Sequence, residues 1–249
     1  LNLDSDKLAD QAIRQIFETV DRVALPRHLD EKIEAIREQR AGQSQAFFSR
    51  HSEQFREQQE LIAAFDLYAE PTAELIRKRA ARQSWLSVLE IGPGEGGFLP
   101  VLSELFQHVV GLDNSKDMLA KATRTCIEEH LNNVDLIEGV TDTLLARGDA
   151  FDLIVANMVL HHVPSPADIF LDAAALMNSG GCLVVSDLCS HDQDWAKENC
   201  GDLWLGFEPE ELTSWAADAG LTAGEQLFIG LRNGFQVQVR EFWKSTEAA

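Results

Sequence analysis

The sequence predicts an α/β protein with a doubly wound, mostly parallel, seven-stranded sheet preceded by a helical region. From Trp85 onward, short apolar runs alternate with helical segments, whereas residues 1–82 are charged and space their apolar residues as a helix does. Short apolar runs between helices are typical of parallel strands buried on both faces. Near the end, Asn-Gly stands between two strand-like runs, which predicts an antiparallel hairpin.

The N-terminal region, residues 1–82, is predicted to consist of helices. Its apolar residues at helical spacing include Ile13, Ile16, Phe17, Val20, Ile33, Ile36, Phe47, Phe48, Phe55, Leu61, Ile62 and Phe65. We expect Pro26 to mark a break, and Pro71 to stand in the first turn of a helix, where its missing amide does no harm. The region is predicted to act as a linker, as a dimerisation element or as a cap over a site.

Residues 83–249 are predicted to form the sheet domain. Five strands are expected in "WLSVLEI", "HVVGLD", "VDLIEG", "FDLIVANMVL" and "GCLVVSDL". The expected helices are "GGFLPVLSELF", "SKDMLAKATRTCIEEH", "PADIFLDAAALMN" and "EPEELTSWAADAG". The last two strands, "EQLFIGL" and "FQVQVREFW", are separated by Arg232, Asn233 and Gly234. Because Asn and Gly both tolerate positive φ, the sheet is expected to end in a hairpin.

Composition and charge restrict the function classes. The chain has 249 residues, 45% of them hydrophobic, which is enough to bury a full core. Its 41 acidic and 21 basic residues give a formal net charge of −20, so neither nucleic acid nor an anionic membrane is expected as a partner. Four cysteines without a C-x-x-C pair favour a reducing cytoplasm, and the sequence has neither a signal peptide nor a membrane span. The first residue is Leu1 rather than Met, which is typical of a segment from a longer parent.

The stretch from Val88 to Leu99, "VLEIGPGEGGFL", is a glycine-rich loop between the first strand and the next helix. Such a loop lets the backbone approach a ligand closely and directs helix amides at it. The dinucleotide fingerprint G-x-G-x-x-G does not fit, because the third glycine comes one position early. The glycines are Gly92, Gly94, Gly96 and Gly97. The loop alone leaves open a nucleotide-dependent oxidoreductase, another nucleoside ligand or a plain tight turn.

Polar residues at three strand ends narrow the choice of ligand. Glu90 precedes the glycines, where a carboxylate would oppose a pyrophosphate but could hold a cationic group. Asp113 ends the second strand about twenty residues after the loop and can accept hydrogen bonds from both ribose hydroxyls. Asn157 ends the fourth strand. Together these residues indicate a nucleoside without phosphates.

With these residues, the sequence resembles the class I S-adenosylmethionine-dependent methyltransferases from roughly Trp85 to Trp243. Their first, second and fourth motifs look like "VLEIGPGEGG", "GLDNSKDML" and "FDLIVANMVLHHV", and their sheet also contains an inserted antiparallel last strand. The resemblance implies a Rossmann-like methyltransferase fold and the cofactor S-adenosyl-L-methionine, with S-adenosyl-L-homocysteine as product. The residues implied to bind it are Glu90, Gly92 and Gly94 at the methionine end, Asp113 at the ribose, Asn114 and Met118 at the adenine, and Asn157 beside the methionyl part.

One cofactor position departs from the family pattern. After the third strand, many members carry an acid directly after a glycine, where it accepts from the adenine amino group. Here Val140 follows Gly139. Val140 is still expected to lie at the cofactor. The hydrogen bond from the adenine amino group is expected to go either to Asp142 or to a backbone carbonyl.

A narrower resemblance concerns the segments on both sides of the first five strands. The stretches "QSQAFFSRHSEQF" and "HDQDWAKENCGDLWLGFEPEELTSWAADAGL" look like methyltransferase domains fused behind ArsR-type winged-helix repressors. Residues 1–82 contain no convincing basic recognition helix, and whether a DNA-binding domain precedes Leu1 in the parent is left open. The leading helices could connect the domains, form a homodimer or cap the active site. This resemblance leaves open a non-catalytic domain that senses the cofactor or its product.

Three histidines are candidate catalytic residues for methyl transfer to a small-molecule acceptor. His161 and His162 follow the fourth strand, and His191 follows the fifth, near the expected acceptor entrance. A general base is needed only when the acceptor arrives protonated, so shaping the site is the alternative role. No metal-ligand spacing is repeated around Cys189, His191 and Cys200, and no metal site is predicted. The motifs leave the acceptor undefined.

Overall fold

The computed structural model describes residues 26–51 and 55–246. The chain divides into two units, Leu1–Gln39 and Arg40–Ala249. Helix α1 (Arg27–His51) begins directly after Pro26, as expected for a break at that proline. The expectations for residues 1–25 and 52–54 lie outside the described residues.

Helices α2 (Phe55–Ile62) and α3 (Phe65–Ala80) follow α1, in agreement with the predicted helical region. The expected place of Pro71 was wrong, because it lies in the middle of α3. A proline there leaves the carbonyl of Leu67 without its amide partner. Leu67 is exposed, so water can hydrogen-bond to that carbonyl. Of the helices in residues 26–51 and 55–246, none combines the length and apolar character needed to cross a bilayer.

The remaining chain alternates strands and helices. Its elements are β1 (Ser87–Ile91), α4 (Leu99–Leu105), β2 (His108–Asp113), α5 (Lys116–Glu128), β3 (Val134–Glu138), α6 (Thr141–Arg147), β4 (Phe151–Asn157), a 3₁₀ turn (Leu160–His162), α7 (Pro166–Leu176), β5 (Met177–Leu188), α8 (Trp195–Cys200), α9 (Pro209–Asp218), β6 (Leu221–Gly230) and β7 (Gln236–Lys244). This order confirms the predicted alternation.

The seven strands form one sheet in the order β3-β2-β1-β4-β5-β7-β6. Strands β1 to β5 are parallel, and β7 lies antiparallel between β5 and β6. The predicted mostly parallel sheet and its terminal hairpin are therefore confirmed. At the hairpin turn, Asn233 Nδ2 donates to the carbonyls of Leu61 and Ile62 at 2.9 and 2.8 Å, which fastens the end of α2 to the sheet.

Apolar clusters cover both faces of the sheet. On one face, Val88 and Val184 pack in a cluster that includes Ile76 of α3. On the other face, their chain neighbours Leu89 and Val185 pack in a second cluster with helices α7 and α9. Because successive strand residues point to opposite faces, strands buried on both sides are apolar throughout. Because β1, β2, β4 and β5 are parallel, their carboxyl ends lie along one edge of the sheet.

Three local elements differ from the sequence prediction. Strand β5 begins at Met177, so Met177 and Asn178 belong to the strand and not to the preceding helix, as had been predicted. The extended backbone of Met177, with ψ of 139°, ends α7. Helices α6 and α8, of 7 and 6 residues, were not predicted.

Candidate functional site

The glycine-rich loop turns the chain sharply between β1 and α4. Gly92, Gly94 and Gly96 have φ of +66°, +56° and +82°, in the left-handed region that favours glycine. A side chain at Gly92 would also clash with Val159, which follows β4. The loop therefore needs its glycines both for its backbone angles and for its close approach to the chain after β4.

Asp113, at the end of β2, joins this loop to the next one. Its Oδ2 accepts from the amide of Gly94 at 3.3 Å, and its Oδ1 accepts from the amide of Ser115 at 2.8 Å. Burial raises the pKa of Asp113 to about 6, although these amide hydrogen bonds oppose the rise. The carboxylate is thus held in place by main-chain donors.

Glu90 lies in β1, with 2% of its surface exposed. Its Oε1 accepts from Asn157 Nδ2 at 3.5 Å, and Asn157 Oδ1 accepts from the hydroxyl of Ser186 at 2.8 Å. Within the described part of the chain, Glu90 Oε2 is buried and has no hydrogen-bond partner. Burial raises the pKa of Glu90 to about 8; the amide of Asn157 opposes this rise, and the charge of Asp113 adds to it. A carboxylate oxygen is thus available to a donor or a cation.

Three further expected cofactor positions lie around Asp113. Asn114 follows it and is exposed, whereas Met118 is buried in the first turn of α5, where its amide donates to Ser115 Oγ at 3.3 Å. Val140 is 52% exposed and follows Gly139, whose amide donates to the carbonyl of Asp113 at 3.0 Å. The structure therefore places the loops that carry these residues side by side.

The 3₁₀ turn after β4 carries the first two candidate histidines. His161 Nδ1 lies 2.7 Å from Asp187 Oδ1, and Asp187 Oδ2 accepts from the amide of Leu160 at 2.9 Å. Burial disfavours the charged imidazole ring, but the negative charges of Asp187 and Asp202 outweigh it and raise the pKa of His161 to about 9. Asp187, at the end of β5, thus fixes the orientation of the His161 ring.

His162 and Asp202 complete a buried cluster with His161. The two imidazole rings lie 4.0 Å apart between centroids. His162 Nδ1 lies 3.8 Å from Asp202 Oδ1 and 3.3 Å from the carbonyl of Gly201. Burial and the charge of His161 lower the pKa of His162, whereas burial raises the pKa of Asp202 to about 6 against the attraction of His161.

This cluster lines a small pocket, whose other walls include Ile62, Met158 and Cys200. Met158 directly follows Asn157 at the end of β4 and has φ of +49°, which is unusual for a residue with a side chain. The pocket and the Glu90 region therefore meet at the end of one strand.

The C-terminal part of α1 packs over the loop that carries Asp202. Phe47 lies against Gly201, where any side chain would clash with its ring. The guanidinium carbon of Arg40 lies 4.6 Å from the centre of the Trp204 ring. The predicted helical region thus contributes a helix next to the pocket.

His191 lies apart from this histidine cluster. Its Nδ1 accepts from the amide of Gln193 at 3.3 Å, and its ring packs edge-on against Phe235. Burial, followed by the charge of His161, lowers its pKa. His191 does not belong to the described residues that line the pocket. Of the three candidate histidines, the structure therefore brings together His161 and His162.

Sequence reasoning missed Asp187 and Asp202. A single carboxylate at the end of the apolar strand "GCLVVSDL" was an available signal for Asp187. For Asp202, which follows a glycine in an irregular segment, no comparable local signal exists. Its importance becomes visible only when α8 and the loop after it fold back onto the 3₁₀ turn, so that the amide of Leu203 donates to the carbonyl of His161 at 2.8 Å.

Two curated proteins illustrate what the chain is similar to in sequence. The chain is 26% identical over 140 residues to YcgJ of Bacillus subtilis, an uncharacterized methyltransferase, which covers 56% of this chain and 53% of that protein. It is 28% identical over 126 residues to the ubiquinone biosynthesis O-methyltransferase of Maricaulis maris, which covers 50% and 49%. The chain thus spans about half the length of these curated relatives.

A solved structure and a family model extend the comparison. The crystal structure of magnesium protoporphyrin IX methyltransferase (ChlM) from Synechocystis PCC 6803 with bound SAH shares the fold, with a TM-score of 0.59 and 17% identity over 72% of this chain and 84% of that chain. The family model described as "Methyltransferase domain" matches residues 16–225. Because this match spans far more than half of its residues, the chain belongs to the methyltransferase-domain family.

Proposed function

We propose that this chain transfers a methyl group from S-adenosyl-L-methionine to a small-molecule acceptor. The observation that carries the proposal is the buried Oε2 of Glu90, which accepts no hydrogen bond from any described residue and lies at the strand edge that also holds Asp113. Membership of the methyltransferase-domain family supports it. A buried acceptor without a partner is costly unless a ligand supplies a donor or a positive charge.

The residues at this edge fit the chemical groups of the proposed cofactor. S-adenosyl-L-methionine supplies a methyl group on a positively charged sulfur, and it carries an ammonium group, a ribose and no phosphate. Glu90 would accept from a cationic or donor group of the methionine part, and Asp113 would accept from the ribose hydroxyls. Gly92 and Gly94, which lack side chains, leave room for the ligand beside the backbone.

The adenine end is proposed to lie between the loops that follow β2 and β3. Asn114 and Met118 would flank the adenine from the β2 side, and Val140 would approach it from the β3 side. The hydrogen bond from the amide of Gly139 to the carbonyl of Asp113, at 3.0 Å, supports this placement because it joins the two loops. Asn157 would lie beside the methionyl part.

We place the acceptor in the pocket that His161 and His162 line. Met158 is a wall of this pocket and directly follows Asn157, so the acceptor would lie beside the methyl donor. Most of the acceleration of methyl transfer can come from alignment of the two reactants in a site without water. His162, whose pKa is lowered, would receive the acceptor's proton, and His161, whose pKa is raised, would hold the acceptor. His191 is the weaker candidate because it lies outside the pocket lining.

Calorimetry with S-adenosyl-L-homocysteine tests the cofactor site. Asp113→Ala removes a charged acceptor, and we expect it to weaken binding by more than about tenfold. Asp135→Ala is the matched control, since Asp135 lies on the neighbouring strand β3 with a 72% exposed side chain. NAD is expected not to bind. Unchanged affinity in Asp113→Ala would overturn the cofactor assignment.

Turnover is tested separately from cofactor binding. The purified chain is incubated with labelled S-adenosyl-L-methionine and a panel of hydroxyl, amine, thiol and carbon acceptors, and formation of S-adenosyl-L-homocysteine is measured. Acceptor-dependent product supports the enzyme. Tight binding without product on any acceptor would instead support the sensor that the resemblance to regulator fusions left open.

The wider context of the chain is also a proposal. The resemblance to ArsR-type fusions supports a parent protein with a DNA-binding domain, a homodimer through the N-terminal helices and a cytoplasmic location. Light scattering of the purified chain tests the dimer, and the reading frame upstream of Leu1 tests the fusion.

A further inference from the structure

Asp202 is an unusually placed carboxylate. Its side chain is 0% exposed, and both of its oxygens are buried without a hydrogen-bond partner among the residues the structure describes. Its neighbours are His161 Nε2 at 3.9 Å and His162 Nδ1 at 3.8 Å from Oδ1, beyond hydrogen-bond range. A buried carboxylate without hydrogen bonds is destabilising unless a positive charge lies beside it. Here that charge comes from the protonated ring of His161, at ion-pair distance, or from a bound cation that replaces its proton.

The three side chains form a set of metal ligands. One ligand atom from each of His161, His162 and Asp202 lies within 4.8 Å of the other two, and all three residues are buried. Two imidazoles and one carboxylate are ligands that first-row transition metals accept. Ligands of a tetrahedral zinc ion lie about 3.4 Å apart when metal–ligand distances are near 2.1 Å. The two separations from Asp202 Oδ1, 3.8 and 3.9 Å, therefore need to shrink by about half an ångström. The distance between the two ring nitrogens, at most 4.8 Å, would need to shrink by up to about 1.4 Å.

The surroundings of His161 also favour metal binding by its ring. Its Nδ1 lies 2.7 Å from Asp187 Oδ1, so its Nε2 is left on the side of Asp202. A carboxylate that accepts from one ring nitrogen fixes the tautomer and the orientation of a metal-binding histidine. Asp187 is itself held by the amides of Leu160 and Leu188, at 2.9 and 2.7 Å, so the orienting group is rigid.

The cluster also faces a small space, large enough for a ligand about the size of a water molecule. It forms part of the wall of this pocket, together with Gln59 of α2 and Met158. A metal with three protein ligands would therefore keep open positions toward the space proposed for the acceptor. Zinc sites with three protein ligands and an open position are typical of catalysis, whereas structural sites are closed.

We propose that His161, His162 and Asp202 bind a divalent first-row transition-metal ion, with Zn²⁺ as the probe. The binding itself does not depend on methyl transfer. The catalytic role of the bound ion rests on the proposed function. An ion facing the pocket would coordinate an acceptor oxygen or nitrogen and make the acceptor easier to deprotonate.

Calorimetry and metal analysis on the chelator-treated full chain test the site. We expect one Zn²⁺ per chain and an affinity that Asp202→Asn lowers by at least about 100-fold, because that change removes a ligand charge at nearly constant shape. The matched control is Asp135→Asn, in a surface pair whose His108 Nδ1 and Asp135 Oδ2 lie 3.8 Å apart. Affinity in the control should not change. Less than half an equivalent of bound zinc, or equal affinities in the two variants, would overturn the proposal.

The absorption spectrum of the wild-type chain with bound Co²⁺ tests the proposal even if the Asp202→Asn variant does not fold. Co²⁺ bound by two imidazoles and a carboxylate gives d–d bands without a thiolate charge-transfer band. A thiolate band would assign the ion to a cysteine, and absence of d–d bands would mean no specific site; either result overturns the proposal. Binding of S-adenosyl-L-homocysteine is measured in the same samples, so that loss of the metal site and failure of the proposed function are recognised separately.

Discussion

Two groups of buried carboxylates lie along the same edge of the sheet, and they are held in different ways. On the glycine-loop side, Asp113 accepts from the amides of Gly94 and Ser115, which lie close by in the strand-end loops. On the histidine side, Asp187 accepts from a ring nitrogen of His161, and Asp202 has no hydrogen bond from the described residues. Asp113 is held by nearby main-chain amides alone, whereas Asp187 is held by two amides and also by a histidine from a distant segment. Asp202 meets its histidine neighbours only across distant segments.

The largest expected loss of stability comes from a substitution on the histidine side. Asp187→Ala leaves three buried donors without their acceptor, namely His161 Nδ1 and the amides of Leu160 and Leu188. We expect the free energy of unfolding to fall by about 3–5 kcal/mol at pH 7, measured by urea denaturation.

Asp113→Ala serves as the comparison from the other group. It removes two amide hydrogen bonds at a partly exposed position, for which a loss of about 1–2 kcal/mol is expected. A smaller loss in Asp187→Ala than in Asp113→Ala would contradict the view that the histidine side depends more strongly on a single carboxylate.

The difference between the two groups also explains why the glycine-loop residues could be predicted from the sequence and Asp202 could not. The sheet followed from short apolar runs, because strands buried on both faces need apolar residues at every position. Gly92, Gly94 and Asp113 were recognisable because backbone angles and strand ends restrict which residues can stand there. The structure brings these residues together as expected.

Other features could not be read from local patterns. Asp202 approaches His161 only after α8 folds back, so no spacing in the sequence indicates their contact. The same limit applies to Pro71, whose place inside α3 is tolerated because the affected carbonyl lies on an exposed part of the helix. Local sequence rules describe the allowed conformations of a segment, and they do not describe which distant side chain will neutralise a buried charge.

The pH dependence of stability tests the comparison on the glycine-loop side, through Glu90. The pKa of Glu90 is about 8 in the folded chain, above its ordinary value of 4.5. The folded state thus holds a proton that the unfolded state has lost, and stability falls as pH rises between these values. We expect Glu90→Gln, which cannot lose a proton, to remove this fall. Relative to the wild type, its free energy of unfolding should rise by up to about 5 kcal/mol across the window.

Asp113→Asn is the control for the titration. The pKa of Asp113 is raised from 3.8 to about 6, so this variant should change the pH dependence only in the lower part of the window. Chemical denaturation at half-unit steps from pH 4 to 9 separates the two variants. Parallel stability curves for the wild type and Glu90→Gln above pH 6 would show that Glu90 is ionised in the folded chain.

The smallest expected effect concerns the helix next to the pocket. Arg40 lies over the ring of Trp204, whose Nε1 donates to the carbonyl of Val163 at 2.8 Å. Arg40→Ala removes a cation–π contact worth about 0.5–1 kcal/mol, a loss that urea denaturation can measure. The control Arg27→Ala breaks the exposed pair with Glu31 in the same helix and should change stability by less than about 0.5 kcal/mol. Because Arg40 and Phe47 contact the loop that carries Asp202, Arg40→Ala should weaken Zn²⁺ binding more than binding of S-adenosyl-L-homocysteine. The opposite order would mean that α1 supports the cofactor side.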